Sequence, residues 1–460
     1  MRWLAGLMAA LACVTTMAVP RAAEAADARF GLARLLWSRR FVSGTVVRSF
    51  PNLVPATGVC MDHRTSTPRP HPVAAAQCGQ TMWNNFRLTR DRRWLAGAVT
   101  QARWLINFKQ VYAGAWFFPY RWEHVLPASP TKPTVVLRNP WYSAMAQGEV
   151  LSLFMRLYET TGDARYRTAA DRTFAALLVP NVAGRPWATW TYGGYTWFEE
   201  TTFADGTGDR ILNGHIFTVL GIYDYWVITR DARAYRLLQA GLLTSLVYAG
   251  RLRRPAWQSY YDDYRRGDSR KYHQLHVLLV RYLAEMTGDQ RFDRAALMLW
   301  LDQPLAVTRG RLYLAKGTTQ GYRWSNGRLV PARAVTLSKS TLALLTLRTR
   351  VKGSRDMWMV AGSGALRGLY VRQVPFRAYV YGPADVFGFR ILWRPVTRSA
   401  TVTLRAFDAE GHLRGAARFT PGRGRSIPLS RYTVIQGLPF YQLGTGPYRG
   451  RWIAAADLVI

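Results

Sequence analysis

Residues 161–166, Thr161-Gly162-Asp163-Ala164-Arg165-Tyr166, carry the pattern on which the fold reading turns, because it returns three more times. An apolar run ends in Thr, an Asp follows two residues on, and an aromatic comes three or four residues later. The other copies are Thr89-Arg90-Asp91 with Trp94, Thr229-Arg230-Asp231 with Tyr235, and Thr287-Gly288-Asp289 with Phe292. Asp in that position caps the N-terminus of the next helix, and the aromatic packs back on the previous one. Each copy is the turn of an αα-hairpin, with room for two helices between copies. Hairpins repeated over 81–306 predict a catalytic domain of α/α-toroid form, an incomplete α/α barrel; an open superhelical solenoid carries the same signature. The toroid is preferred because the polar clusters fall in the other set of loops, which gathers them at one mouth.

C-terminal to the helices the texture changes. Arg311–Leu314, Gly321–Trp324, the turn Ser325-Asn326-Gly327 and Arg328–Leu337 read as strands around a hairpin, so 307–368 is a β-rich connector with a linker over Gly353–Gly368. Residues 369–460 alternate like strands, most clearly Thr401–Phe407 and His412–Phe419 around Asp408–Gly411, and predict a β-sandwich-like accessory domain. The chain is thus mixed and multidomain.

At the other end, Arg2 precedes an apolar, alanine-rich run to Val19, then Pro20 and small residues. Residues 1–25 read as a secretory signal peptide, and an uncleaved anchor would need a longer span. Residues 26–80 hold Pro51, Pro55, Pro68, Pro70 and Pro72 and read as an extended arm. Cys60 and Cys78 are the cysteines left after cleavage, and a pair in an exported protein reads as one disulfide. The expected location is extracytoplasmic, with no stable membrane insertion.

Composition narrows the partner. Hydrophobic residues make up 49% of the 460 and the net charge is +35, so the chain folds and draws polyanions. No helix-turn-helix, zinc-finger or RNP-type motif is present, which sets nucleic acid behind an acidic polysaccharide. Arginine forks suit carboxylate and sulfate, and 18 Trp with 24 Tyr suit sugar faces as well as cores.

Three polar stretches interrupt the helices. Asn139–Gly148 starts a helix at Pro140 and places Ser143, Gln147 and Gly148 along one side, with Tyr142 at its start. Trp197–Tyr225 sets Glu199 and Glu200 in a Gly-, Thr- and Asp-rich loop that runs into a helix bearing Asn213, Gly214 and His215. Tyr260–His276 brings Tyr261, Asp262 and Arg265 before a helix, capped by Asp268 or Ser269, that carries Tyr272, His273 and His276. No acid completes a zinc motif with the two histidines, so neither metal nor cofactor is expected.

Taken in order, NPWYSAMAQGEVLSLFMRLYETTGD from Asn139, WFEET from Trp197, RILNGHIFTVLGIYDY from Arg210, SYYDDY from Ser259 and KYHQLHVLLV from Lys271 resemble the C-terminal domain of the D-glucuronyl C5-epimerases. The resemblance covers roughly 140–285 and implies an α/α-barrel domain that converts glucuronate to iduronate in a heparosan-like polymer. It places the catalytic glutamate on Glu200 and catalytic tyrosines on Tyr261 and Tyr272. The family tyrosine after the glutamate is here Thr201, for which Tyr120, Tyr192 or Tyr195 would substitute. The family arginine falls at Tyr264, with Arg265 or Arg266 adjacent. The family's β-rich portion precedes its helices, whereas here a β region follows.

The chemistry matches those residue types. The C5 hydrogen of a uronate is α to a carboxylate, and its removal builds charge there. Glu200 would be the base, and Tyr272, its pKa lowered by the helix N-terminus, would serve the opposite face. Tyr120, Tyr142, Gln147, Glu199, Asn213, Arg265, His273 and His276 are the expected substrate-binding residues. The expectation is a secreted uronate C5-epimerase. A polysaccharide lyase, a glycoside hydrolase pairing Glu200 with Asp262 or Asp205, and a non-catalytic glycan binder are the alternatives.

Overall fold

The computed structural model describes residues 29–64, 67–129 and 132–459, so the expected signal peptide, 1–25, lies outside the described residues. They form two compact units, 29–252 with 260–272, and 253–259 with 273–459.

The first unit is built on α1 (Pro72–Thr89), α2 (Arg92–Phe108), α3 (Ala144–Thr161), α4 (Ala164–Ala175), α5 (Leu212–Thr229) and α6 (Ala232–Arg251). The turns are the ones the sequence marks. Asp91, Asp163 and Asp231 accept the backbone N–H groups of Arg93, Arg165 and Arg233 at 2.9, 2.9 and 2.7 Å. The residue before each Asp is left-handed, with φ of 61° at Arg90, 70° at Gly162 and 59° at Arg230. The arginine after each cap folds back onto its carboxylate. Tyr235 departs from the pattern: it is 37% exposed, and the buried position there is Ala234, one residue earlier.

Two helix starts differ from the sequence reading. α1 begins at Pro72, ahead of residue 81, with His71 as its cap: Nδ1 accepts Ala74 N–H at 3.2 Å. Pro72, counted as part of an extended arm, is a helix-starting proline. α3 begins at Ala144 and not at Pro140, because Ser143 caps it while Trp141 is bridged to Tyr120.

α3 packs against both α1 and α5 and is buried along most of its length. Its approach to α5 is at glycine distance: a Cβ on Gly148 would stand 2.4 Å from the Thr218 Cα, and one on Gly221 2.1 Å from the Gly148 carbonyl oxygen. α2, α4 and α6 turn one apolar face inward and carry arginines on the other. The connections from these outer helices to the inner ones hold short hairpins that the sequence reading did not assign. They are β3 (Gln110–Tyr112) with β4 (Ala115–Phe117), β5 (His124–Leu126) with β6 (Val135–Leu137), and β7 (Thr189–Tyr192) with β8 (Tyr195–Phe198).

The N-terminal segment lies on this helical body. Arg40 makes a buried ion pair with Asp224 of α5 at 2.9 Å, and the Tyr223 hydroxyl donates to the Ala33 carbonyl at 2.6 Å. A two-strand hairpin, β1 (Leu53–Val54) and β2 (Val59–Cys60), leads to the Cys60–Cys78 disulfide, which joins β2 to α1. Gln101 of α2 bonds the Cys60 N–H and the Gly58 carbonyl at 3.0 and 2.6 Å.

The second unit contains most of α7 (Arg270–Thr287) and all of α8 (Gln290–Asp302), joined by the fourth capped turn, in which Asp289 accepts Arg291 N–H at 2.8 Å. A seven-stranded antiparallel sheet follows, from β9 (Gly310–Leu314), β10 (Gly317–Ser325), β11 (Arg328–Leu337), β12 (Thr341–Arg350), β13 (Met357–Ala361), β14 (Tyr370–Arg372) and β15 (Ala378–Val380). Its order is β11-β10-β14-β13-β12-β9-β15. The Ser325-Asn326-Gly327 turn closes β10 on β11 with positive φ at Asn326 and Gly327, as the dipeptide predicts. Two boundaries are corrected. Gly353–Gly368 is not a linker, since it holds β13, and a division after residue 368 would cut β14 and β15 from their own sheet. A six-stranded sheet is assembled from β16 (Ala384–Trp393) onward and includes the expected hairpin, Val402–Phe407 with Leu413–Phe419. α8 holds β16: the Asp293 carboxylate accepts Arg390 and Ile391 N–H at 2.8 and 3.0 Å.

Candidate active site

The site forms in the first unit, where three outer-to-inner connections and the start of α7 converge. The loop after β8 supplies two glutamates with different fates. Glu199 is fully buried: it accepts from the Trp190 indole N–H and, at 2.9 Å, from Arg210 N–H, while its carbonyl takes Ala144 N–H at 2.6 Å. A Cβ on Gly208 would collide with this carboxyl at 2.5 Å. Burial pushes its pKa up to about 8. Glu199, expected to bind substrate, instead ties the loop to α3 and β7.

Glu200 is half-buried and faces the neighbouring loop. It accepts from Asn213 Nδ2 at 3.2 Å and from the Tyr261 hydroxyl at 3.3 Å. Gly214 lets it sit against the start of α5, where a Cβ would come within 2.3 Å of Oε2. Burial first, and the Asp209 carboxylate second, raise Glu200 to about 7. Asp209, which the sequence reading passed over, is 2% exposed and is itself raised to about 7, with burial the main cause. The Thr201 hydroxyl stands beside it.

Tyr261 is set by its loop. Its N–H donates to the Gly267 carbonyl at 2.8 Å, and the next residue, Asp262, gathers the amides of Arg265, Arg266 and Gly267. Asp262 is thereby committed to holding the turn. Asp205 binds its own turn through Thr207, so neither offers the second carboxylate of a hydrolase. The Tyr261 and Tyr272 rings lie 4.3 Å apart. Both pKa values are raised, by burial first and the Glu200 charge second. This reverses the expectation for Tyr272: desolvation and a nearby carboxylate outweigh the helix N-terminus, and the phenol keeps its proton.

The remaining expected residues divide. Asn213 holds Glu200 and leaves its Oδ1 without a partner among the described residues. Arg265 is anchored by Nη1 on the Pro127 carbonyl, and its buried Nε and Nη2 find no partner among the described residues. Tyr120, stacked on Trp141 at 3.9 Å, is within reach of the Glu200 charge, whereas Tyr195 packs on Tyr248 and Tyr192 is exposed under Arg210. Tyr142 turns away to Gln110 at 2.8 Å and is pushed up to about 12 by burial. Gln147 is spent on backbone, accepting Phe118 N–H at 3.2 Å and donating to the Trp116 carbonyl at 2.8 Å. His273 and His276 belong to the second unit: His273 Nδ1 accepts Ser259 N–H at 2.8 Å, and His276 Nδ1 meets the Ser259 hydroxyl at 3.0 Å. Gln147 and His273 are therefore structural, because each buried polar group must find a partner and these find the backbone or a core serine, whereas the buried Nε2 of His276 has none among the described residues. Among the described residues Asp408, Glu410 and His412 stand close enough to hold an ion, on an exposed hairpin of the second unit, where Asp408 already binds His412 and Arg414.

The profile of the D-glucuronyl C5-epimerase C-terminus matches residues 116–300. An uncharacterised protein of Methanocaldococcus jannaschii is 31% identical over 160 residues, 34% of this chain and 51% of that one. A D-glucuronyl C5-epimerase of Caenorhabditis elegans is 28% identical over 123 residues, 27% of this chain and 18% of that one. The chain thus spans about half the length of one curated relative and less than a fifth of the other. A solved D-mannose isomerase has a TM-score of 0.40 and 12% identity, covering 55% of this chain and 65% of that chain. The stretch that carries Glu200, Tyr261 and Tyr272 thus lies wholly within the match to the D-glucuronyl C5-epimerase C-terminus.

Proposed function

We propose that the protein is a uronate C5-epimerase acting on an acidic polysaccharide, exported by its N-terminal signal, with the hairpin helices arranged as an α/α toroid. The observation that carries the reading is the convergence of Glu200, from the loop after β8, with Tyr261 and Tyr272, from the approach to α7 and its first turn, into one hydrogen-bonded and ring-packed group.

Glu200, with its pKa near 7, takes the C5 proton, and the C5–H electron pair moves into the uronate carboxylate as an enediolate. The free Nε–Nη2 edge of Arg265 has the planar fork that meets a carboxylate through two hydrogen bonds. Tyr272 donates its phenolic proton to the opposite face of C5, which completes the inversion and leaves a phenolate. Tyr261, bonded to Glu200 and packed on Tyr272, passes the captured proton back and restores both groups. Tyr120 approaches Glu200 where the family tyrosine is replaced by Thr201.

Incubation with heparosan in heavy water tests the assignment. Deuterium at C5 with chain length unchanged is the expected result. Unsaturated ends would make the protein a lyase, new reducing ends a hydrolase, and retention without change a glycan binder.

A further inference from the structure

The N-terminal arm has no role in the reaction above, yet the fold carries it to the edge of the same site. The Cys60–Cys78 disulfide holds its end on α1, and Asp62 and Arg69 exchange backbone hydrogen bonds at 2.9 Å in both directions. That bridge sets two arginines, Arg64 and Arg69, about one buried carboxylate. Arg64 grips Asp62 through Nε and Nη2 at 2.8 and 3.0 Å while its side chain remains 77% exposed. The Arg69 guanidinium lies 4.9 Å over the Trp122 ring, and its buried Nε has no partner among the described residues.

From there a set of packed rings leads to Tyr120, which lies within reach of the Glu200 charge. His71 packs on Trp122 at 5.8 Å and on Tyr120 at 5.1 Å; His124 stacks on Trp141 at 5.9 Å, and Trp141 on Tyr120. Arg64, Arg69 and Arg265 all act on His124, and Arg64 also acts on Tyr120 and Tyr272. Two arginines, Arg64 and Arg69, face one acid, Asp62, beside a partly exposed indole. Such a cradle recognises an anionic sugar, whose ring has an apolar C–H face and whose acid group takes charge-assisted hydrogen bonds.

We propose that Arg64, Arg69 and Trp122 form a second anion subsite beside Glu200, which holds the carboxylate or sulfate of a sugar neighbouring the reacting uronate. The proposal rests on the uronate-polymer reading above and adds that the protein reads an acidic chain rather than a single sugar.

The test measures Kd for heparosan and for an N-sulfated heparosan by affinity electrophoresis, using the full-length, disulfide-intact protein. Arg64→Gln and Arg69→Gln are each expected to weaken binding by roughly tenfold, the scale of one charge-assisted contact. Arg165→Gln removes an equally exposed arginine paired to an Asp on a capped turn, and is expected to stay within about twofold of the parent. Equal effects at positions 64 and 165, or none at 64 and 69, would overturn the subsite. A larger loss with the sulfated chain assigns it to sulfate, and a larger loss with heparosan to carboxylate. Should Arg64→Gln melt early because Asp62 is left unpaired, the Asp62→Asn, Arg64→Gln pair keeps the measurement available, and a parent-like Kd in that pair would again overturn the subsite. Absence of C5 exchange alongside the expected Kd pattern would remove the epimerase reading and leave the subsite standing.

Discussion

Glu200 and Asp209 are two carboxyls in one buried loop, and neither ionises as easily as it would in water. Exchange at C5 should therefore rise with pH up to about 7, as Glu200 loses its proton and becomes a base. Replacing Asp209 with Asn removes a negative neighbour, makes Glu200 easier to ionise and should move that acid limb to lower pH. A pH profile of the exchange kcat decides this, and an unmoved limb would take Asp209 out of the tuning of Glu200. Glu200, Tyr261 and Tyr272 were legible as candidates through the resemblance of WFEET, SYYDDY and KYHQLH to the family's motifs, and Asn213 as a polar residue at a helix start. Asp209 and Arg64 were not, since their importance comes from what folds beside them. His273 misled for the matching reason: it resembles a site residue until its nitrogens are seen on Ser259 and the Gln303 carbonyl.

At the level of helices, the repeated capped turn makes a separate prediction. Asp231 accepts two amides, those of Arg233 and Ala234, so Asp231→Ala should cost about 1 kcal/mol in urea unfolding. A larger penalty is expected inside the bundle. Gly148→Ala forces a Cβ into the Thr218 backbone, which cannot rotate away, and should destabilise by about 1–3 kcal/mol or more. A parent-like midpoint for that variant would mean α3 and α5 separate freely. The turns could be read from the sequence since a Thr, a left-handed residue and a capping Asp act locally. The hairpins β3 to β8 could not, because strands of three or four residues are too short to show alternation.

For the molecule as a whole, the disulfide and the charge balance set two expectations. Replacing Cys60 and Cys78 with Ser should cost about 3 kcal/mol by the loop-entropy model and should weaken polymer binding as well, since the bridge fixes the arm that carries Arg64. Calorimetry with the affinity measurement tests both halves. With a net charge of +35, binding to any uronate polymer should weaken steeply as salt rises, and a salt-independent Kd would place the recognition in uncharged contacts.

By itself the sequence determined the helical hairpins, the β character of the C-terminal half and the cysteine pair, which follow from short-range pattern and residue type, and its resemblance to a family named the candidate site residues. Only the tertiary structure decided which polar groups are free to act. Burial made Glu199, Gln147 and His273 spend their hydrogen bonds on neighbours, raised the pKa of Glu200 to about 7 and left Nε and Nη2 of Arg265 unpaired among the described residues. The same packing laid a proline-rich arm against α1 and Trp122, because desolvation and proximity depend on contacts between residues far apart in the chain.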